Sequence, residues 1–294
     1  MKTRTVGACV LAAGAALAGV QQAAAADWSD TSIGLRYGTK FHEPFNSQDI
    51  TKSIVNLTHA SGYKYGTNFF NADFLVANDK DPSAFGSTNG SHEIYIVYRH
   101  TLDLGKVTGS KAFAFGPVRG TGITAGFDVN TKTDVGYNSK KRMFVFGPTL
   151  FVDVPGFLNV SLLLLKESNQ PSGTSFATTP PSSYSVSRYT YKTHPMLTAA
   201  WGIPLGGTGL SFEGFMNYIA SKGTDEFGGA TKPETNIDMQ LMYDLGPAIG
   251  AAKNTFKVGL EYQYWRNKFG NSYKGPAGPG AFAKTPMVRA EYHF

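Results

Sequence analysis

His59-Ala-Ser61-Gly62 comes nearest in this chain to residues whose types and spacing suit catalysis. Residues two apart share one face of a β-strand, so His59 would lie beside Ser61 as base to nucleophile. The tetrapeptide falls at a tight turn, however, and no well-placed Asn stands ready to orient the histidine. Other matches are weaker. Gly105-Lys-Val-Thr-Gly-Ser-Lys111 lacks phosphate-loop spacing and reads as a turn. His42/Glu43 and His92/Glu93 are adjacent pairs in or beside loops, without the third ligand a metal site needs. No metal and no cofactor is expected, and the chain does not read as an enzyme.

The elements around these residues are strands. From Phe294 backwards, Phe294, Tyr292, Ala290 and Val288 alternate with His293, Glu291, Arg289 and Met287. A period of two puts one set toward hydrocarbon and the other toward water. The clearest case is Ile237, Met239, Leu241, Tyr243 and Leu245 against Asn236, Asp238, Gln240, Met242 and Asp244. Phe256 to Tyr264 repeats the pattern against Lys257, Glu261, Gln263 and Trp265. The same beat predicts strands over 31–37, 53–60, 65–76, 92–102, about 121–130, 141–153, 157–167, 186–201 and 210–220. Polar or Gly/Pro-rich connections separate them, among them Gly38 to Lys52, Ser168 to Ser185 and Asn267 to Ala283.

The N-terminus sets the compartment. Lys2 and Arg4 precede a small-residue apolar stretch, Val6 to Val20, and an Ala-x-Ala site ends at Ala26. Residues 1–26 read as a signal peptide and residues 27–294 as the mature chain. Cys9 lies inside the signal, so the predicted mature chain has no thiol and no disulfide. Losing Lys2 and Arg4 takes the net charge from +6 to +4, spread without a basic run, which argues against nucleic acid as a partner. Beyond the signal, Leu158 to Leu165 is the longest nearly unbroken apolar run, too short for a membrane helix. An exported chain with lipid-compatible strand faces and no apolar helix must close its backbone hydrogen bonds as a barrel. The predicted fold is an all-β, antiparallel, up-and-down transmembrane β-barrel of twelve strands, a monomer in the outer membrane.

Several stretches carry a family resemblance. Leu210-Ser-Phe-Glu-Gly-Phe-Met-Asn-Tyr-Ile-Ala-Ser221 and Val258-Gly-Leu-Glu-Tyr-Gln-Tyr-Trp-Arg266 resemble late strands of the nucleoside-specific (Tsx-like) outer-membrane channels. Phe115-Gly-Pro117, Leu158-Asn-Val-Ser-Leu162 and the tail at Phe294 are similar to other parts of that family. The resemblance implies passive diffusion of nucleosides or similar small solutes through a narrow pore. It also implies that the terminal strand, with Phe294 and Tyr292, is read by the barrel-assembly machinery. His59 and Ser61 are similar instead to the His-x-Ser pair of outer-membrane phospholipases, also twelve-stranded, which work on the lipid face.

The predicted lumen side carries both charge signs and several ring systems. Its candidates are Tyr95, Arg99, Arg188, Lys192, Glu213, Phe215, Asp238, Gln240, Glu261, Gln263, Trp265 and Arg289. Tyr95, Phe215 and Trp265 would stack on a base, while Asp238, Gln240 and Gln263 would bond a ribose or base edge. The same charges could instead pair with one another and stiffen a plugged barrel. The alternatives are a general pore for small polar solutes, an adhesin or phage-docking barrel displaying its outer loops, and the phospholipase.

Overall fold

The computed structural model describes residues 26–294. Apart from Ala26, the predicted signal peptide lies outside the described residues.

The twelve barrel strands are β1 (Trp28–Glu43), β2 (Asn46–Tyr63), β3 (Gly66–Ala77), β4 (His92–Asp103), β5 (Val118–Thr133), β6 (Lys140–Val152), β7 (Phe157–Asn169), β11 (His194–Pro204), β12 (Leu210–Ile219), β13 (Glu234–Asp244), β14 (Phe256–Arg266) and β15 (Phe282–His293). Between β7 and β11 lie a small hairpin, β8 (Ser172–Ser175) and β9 (Ser182–Ser185), and the two-residue β10 (Tyr189–Thr190). Each barrel strand pairs antiparallel with its neighbour in this order, and β15 closes on β1 from Ser32↔His293 to Gly38↔Met287. The result is a closed antiparallel barrel of twelve strands. Closure leaves no unpaired edge, the condition for crossing lipid as strands.

The pleat then sorts the residues. Outward positions around the barrel carry Leu35, Phe74, Phe146, Leu164, Leu260 and Val288, all exposed to solvent in the bare protein. So continuous an apolar exterior needs hydrocarbon around it, which makes this an outer-membrane barrel. Aromatic side chains gather at the rims. Trp201 stacks on Phe212, and Tyr292 meets Phe294 edge-on at 5.3 Å, as interfacial girdles do. Phe294 also donates its N–H to Thr31 O at 2.9 Å, fastening the chain end into the seam.

Both ends of the barrel strands, Trp28 and His293, lie at the end of the short turns, such as Lys64–Tyr65 and Asp153–Gly156. Longer connections, 78–91, 170–193, 220–233 and 267–281, crowd the opposite end. That asymmetry assigns the turn end to the periplasm and the loop end to the exterior. In the connection 104–117 the Asp103 side chain caps a one-turn helix, Leu104–Thr108, by accepting from Lys106 N–H.

Three boundaries differ from those read in the sequence. The predicted polar loop Gly38–Lys52 is strand almost throughout, turning only at Pro44–Phe45. Register shifts after Gly38 and Phe41 break the alternation there, yet Phe41 and Ile50 point inward and pack with Ile54, Ala77 and Met287. The predicted eighth strand starts at His194 rather than Val186, because residues 191–193 leave the ladder after β10. The final strand starts at Phe282, paired with Arg266.

Candidate channel lumen

The inward rows form a layered interior. At mid-height, Arg36 reaches two strands in each direction, to Asp73 Oδ1 at 2.6 Å and Glu261 Oε1 at 3.2 Å. Arg289 donates to the other oxygen of Glu261 at 2.8 Å and to Glu291 at 2.5 Å. The Glu261 side chain is 0% exposed, and these two guanidiniums supply the charge that offsets its burial. Gln263 donates to Asp238 Oδ2 at 3.2 Å beside them. On another part of the wall Arg99 pairs with Asp128 and donates to the carbonyls of Tyr98 and Phe127. Tyr95 O–H donates to the same Asp128 at 3.2 Å. Next to them an apolar patch of Val145, Leu163, Leu165 and Met196 faces inward from β6, β7 and β11.

A second layer seals the loop end. Glu43, at the tip of β1, is approached by Lys52 at 2.6 Å, Lys268 at 3.1 Å and Lys132 at 3.7 Å. Lys132 also binds Asp81 at 2.9 Å and Asp134 at 3.1 Å. Lys268 belongs to the connection 267–281, which turns inward through left-handed residues at Asn267 and Phe269. Its ammonium donates to His42 O at 2.9 Å and stands 4.5 Å from the Trp265 ring centre. Phe269 packs edge-on against Trp265 at 4.9 Å, and Lys141 of β6 stands 3.6 Å over the Phe269 ring. Since β14 and β6 lie almost half the barrel apart, this segment crosses the lumen. Lys268 is 3% exposed and Ala281 0%, and Gly270, Ala277 and Gly280 are buried with them, while Lys274, Pro276 and Pro279 of the same segment stay exposed.

A neighbouring cluster fixes the connection 220–233. Lys222 binds Glu167 at 2.7 Å, and Glu226 accepts from Tyr137, from Tyr191 at 2.5 Å and from Asn169 at 3.3 Å.

The interior is less tightly packed beneath the plug. Phe215 points inward from β12 and remains 38% exposed. Its register partners are Ala200 and Asp238. On the same strand Glu213 binds Lys257 at 3.1 Å, with Gln240 Nε2 at 3.4 Å and Ser211 Oγ at 2.5 Å.

The predicted lumen residues divide accordingly. Tyr95, Arg99, Glu213, Phe215, Asp238, Gln240, Glu261, Gln263, Trp265 and Arg289 share the inward face. Most are engaged with one another, as the pairing alternative expected. Arg188 and Lys192 are not in the lumen. They precede β11, and Arg188 lies against the outer rim, donating to Lys140 O and Ser168 Oγ at 3.1 Å each. The cause is the displaced start of β11. Trp265 faces inward, but Lys268 and Phe269 cover it and its N–H is committed to Glu234 at 2.5 Å, so it offers no free stacking face.

His59 and Ser61 do share one face of β2. His59 Nδ1, however, bonds Thr31 Oγ1 at 2.8 Å, and no hydrogen bond joins it to Ser61 among the described residues. Sequence reasoning missed the plug residues Glu43, Lys52, Lys132, Lys141, Glu167, Lys222 and Lys268. Extending the period of two back from Asn56 through Ile54 to Lys52 would have found one of them.

No family model matches the chain, and no curated protein matches it in sequence. Solved structures do. The KdgM porin in complex with disordered oligogalacturonate is 11% identical, covering 90% of this chain and 99% of its own, with a TM-score of 0.43. The translocator domain of autotransporter NalP from Neisseria meningitidis is 14% identical, covering 98% and 96%, also at 0.43. OprB from Pseudomonas putida is 8% identical at 0.31, covering 92% and 94%. These chains are barrels of outer-membrane type, and at such identities the likeness extends no further than that.

Proposed function

We propose that this barrel is a channel for passive diffusion of small polar solutes, with nucleosides as its substrate class. The observation that carries the reading is the setting of Phe215, a half-exposed ring inside the barrel beside a carboxylate row and two amides. A flat apolar face next to Asp238, Gln240 and Glu213 suits a ring-bearing solute with a hydroxylated edge. Stacking on such a ring contributes roughly 1–3 kcal/mol per base in single-strand binders, and a channel site has to stay at the weak end of that range to conduct. The nucleoside-channel resemblance of Leu210–Ser221, which contains Phe215, supports the same class. The inward charges suit a lumen that carries hydrated solutes.

Conduction requires the segment 267–281 to leave the lumen, so the channel is gated at its outer mouth. Liposome swelling tests the function: vesicles holding the barrel should admit adenosine and thymidine faster than sugars of similar size. Equal rates for all these solutes would leave a general pore. No swelling with any of them would refute the channel.

A further inference from the structure

The outward face of β6 and β7 carries an unneutralised cation cluster at the loop end. Lys140 and Arg142 alternate with inward Lys141 on β6, and Lys166 projects outward from β7. The register sets Arg142 opposite Ser168 and Lys166 opposite Phe144, so the side chains crowd onto one rim. Arg188 joins them through its bonds to Lys140 O and Ser168 Oγ. Among the described residues, none of these four cations enters an ion pair. The inward Lys52, Lys132, Lys222 and Lys268 each have at least one carboxylate. Burial, and then the nearby Arg142, pull the Arg188 guanidinium below its ordinary value. Like charges held this close are unfavourable unless an anion comes between them.

Position names the anion. A hollow of about 230 Å³ is lined by Arg142, Met143, Phe144, Lys166, Glu167, Ser168 and Thr190, the Glu167 carboxylate itself being buried against Lys222 on the inward side. Directly below it the same face turns wholly apolar, with Phe146, Leu162 and Leu164 exposed. The cluster therefore sits where the headgroups of the outer leaflet meet their acyl chains. We propose that this rim is a binding site for the phosphate groups of an anionic glycolipid in the outer leaflet. Arg142 and Lys166 bind the phosphate, and the acyl chains lie along Phe144, Phe146 and Leu164. Arg142 offers a planar fork for a phosphate and Lys166 a mobile point charge, two complementary ways of holding it.

The test is native mass spectrometry of the whole barrel in detergent with bis-phosphorylated lipid A as probe. The protein should retain one lipid, and Arg142→Gln/Lys166→Gln should weaken retention about tenfold or more, as expected for two cations at an anionic surface. Neither side chain makes a hydrogen bond or ion pair among the described residues, so the variant should keep the folded, heat-modifiable gel band. Arg142→Lys keeps the charge but loses the fork, so it should bind more weakly than the parent and more tightly than the double variant, and Lys106→Gln/Lys111→Gln at the turn end should bind as the parent does. Dephosphorylated lipid should be retained at least tenfold less. Retention by the double variant within twofold of the parent, or equal retention of both lipid forms, would overturn the proposal. So would equal loss in the turn-end variant, or displacement of the lipid by inorganic phosphate at matched concentration.

Discussion

Replacing Lys268 with Met should unlatch the outer mouth. The ammonium holds Glu43 at 3.1 Å and the His42 carbonyl at 2.9 Å while standing over Trp265. Charge-assisted hydrogen bonds are each worth about 1.5–3 kcal/mol, and a desolvated cation–π contact up to about 2 kcal/mol. Two terms offset this sum. Met no longer has to strip an ammonium of water, and Glu43 keeps Lys52 at 2.6 Å, so it is not left unpaired. A net loss of about 2–3 kcal/mol for the docked segment follows, or roughly 30- to 150-fold in the docked-to-undocked ratio. Cys9, the sole cysteine of the chain, lies in the predicted signal peptide, and replacing it with Ser keeps the assay clean in any case. Ala277 is buried in the docked segment and its carbonyl accepts from Phe45 N–H, so a cysteine placed there reports undocking. Maleimide should label Ala277→Cys some 30- to 100-fold faster when Lys268→Met is added, with mean conductance in planar bilayers rising in parallel. Unchanged labelling and conductance would refute the latch.

Other outcomes follow from the same interior. Deleting Phe294 removes the last seam bond to Thr31 and a 69%-exposed aromatic at the rim; assembled barrel should fall well below that of any single loop deletion, read by heat-modifiable mobility. Glu261→Gln takes one carboxylate from Arg36 and Arg289 but leaves them Asp73 and Glu291, so it should destabilise the barrel by about 1–3 kcal/mol in denaturant unfolding, whereas no measurable effect would mean the cluster is hydrated. Ser61→Ala should leave folding and conductance unchanged, and calcium-dependent phospholipid hydrolysis should be absent from both proteins. Activity that this substitution abolished would restore the catalytic reading.

Much of the barrel was legible because lipid outside and water inside impose one rule on every strand. Ile237–Asp244 obeys it without interruption, and there the inward set matches the sequence reading residue for residue. Where other forces act, the rule loses its grip. Around Gly38–Glu43 two register shifts put Phe41 and Ile50 inside, so a strand looked like a polar loop. Arg188 and Lys192 alternate correctly with Tyr189 and Tyr191, but only Tyr189 and Thr190 pair with β7 there, and the barrel ladder resumes at His194. Alternation gives a side chain's face and cannot give the strand's length. The plug was the least visible part. Lys268 looks like any loop lysine until Glu43, 225 positions away in sequence, supplies its partner.

Block of single-channel current by nucleosides, compared between the parent barrel and Phe215→Ala, tests the central claim most directly. Adenosine and thymidine should block the parent saturably while sugars and amino acids of similar size do not. Losing a stack of roughly 1–3 kcal/mol should weaken that block about 5- to 150-fold in Phe215→Ala, with the open-channel current preserved. Equal block by all solutes, or block undiminished in Phe215→Ala, would contradict the nucleoside reading, and a parent that never conducts would contradict the channel itself.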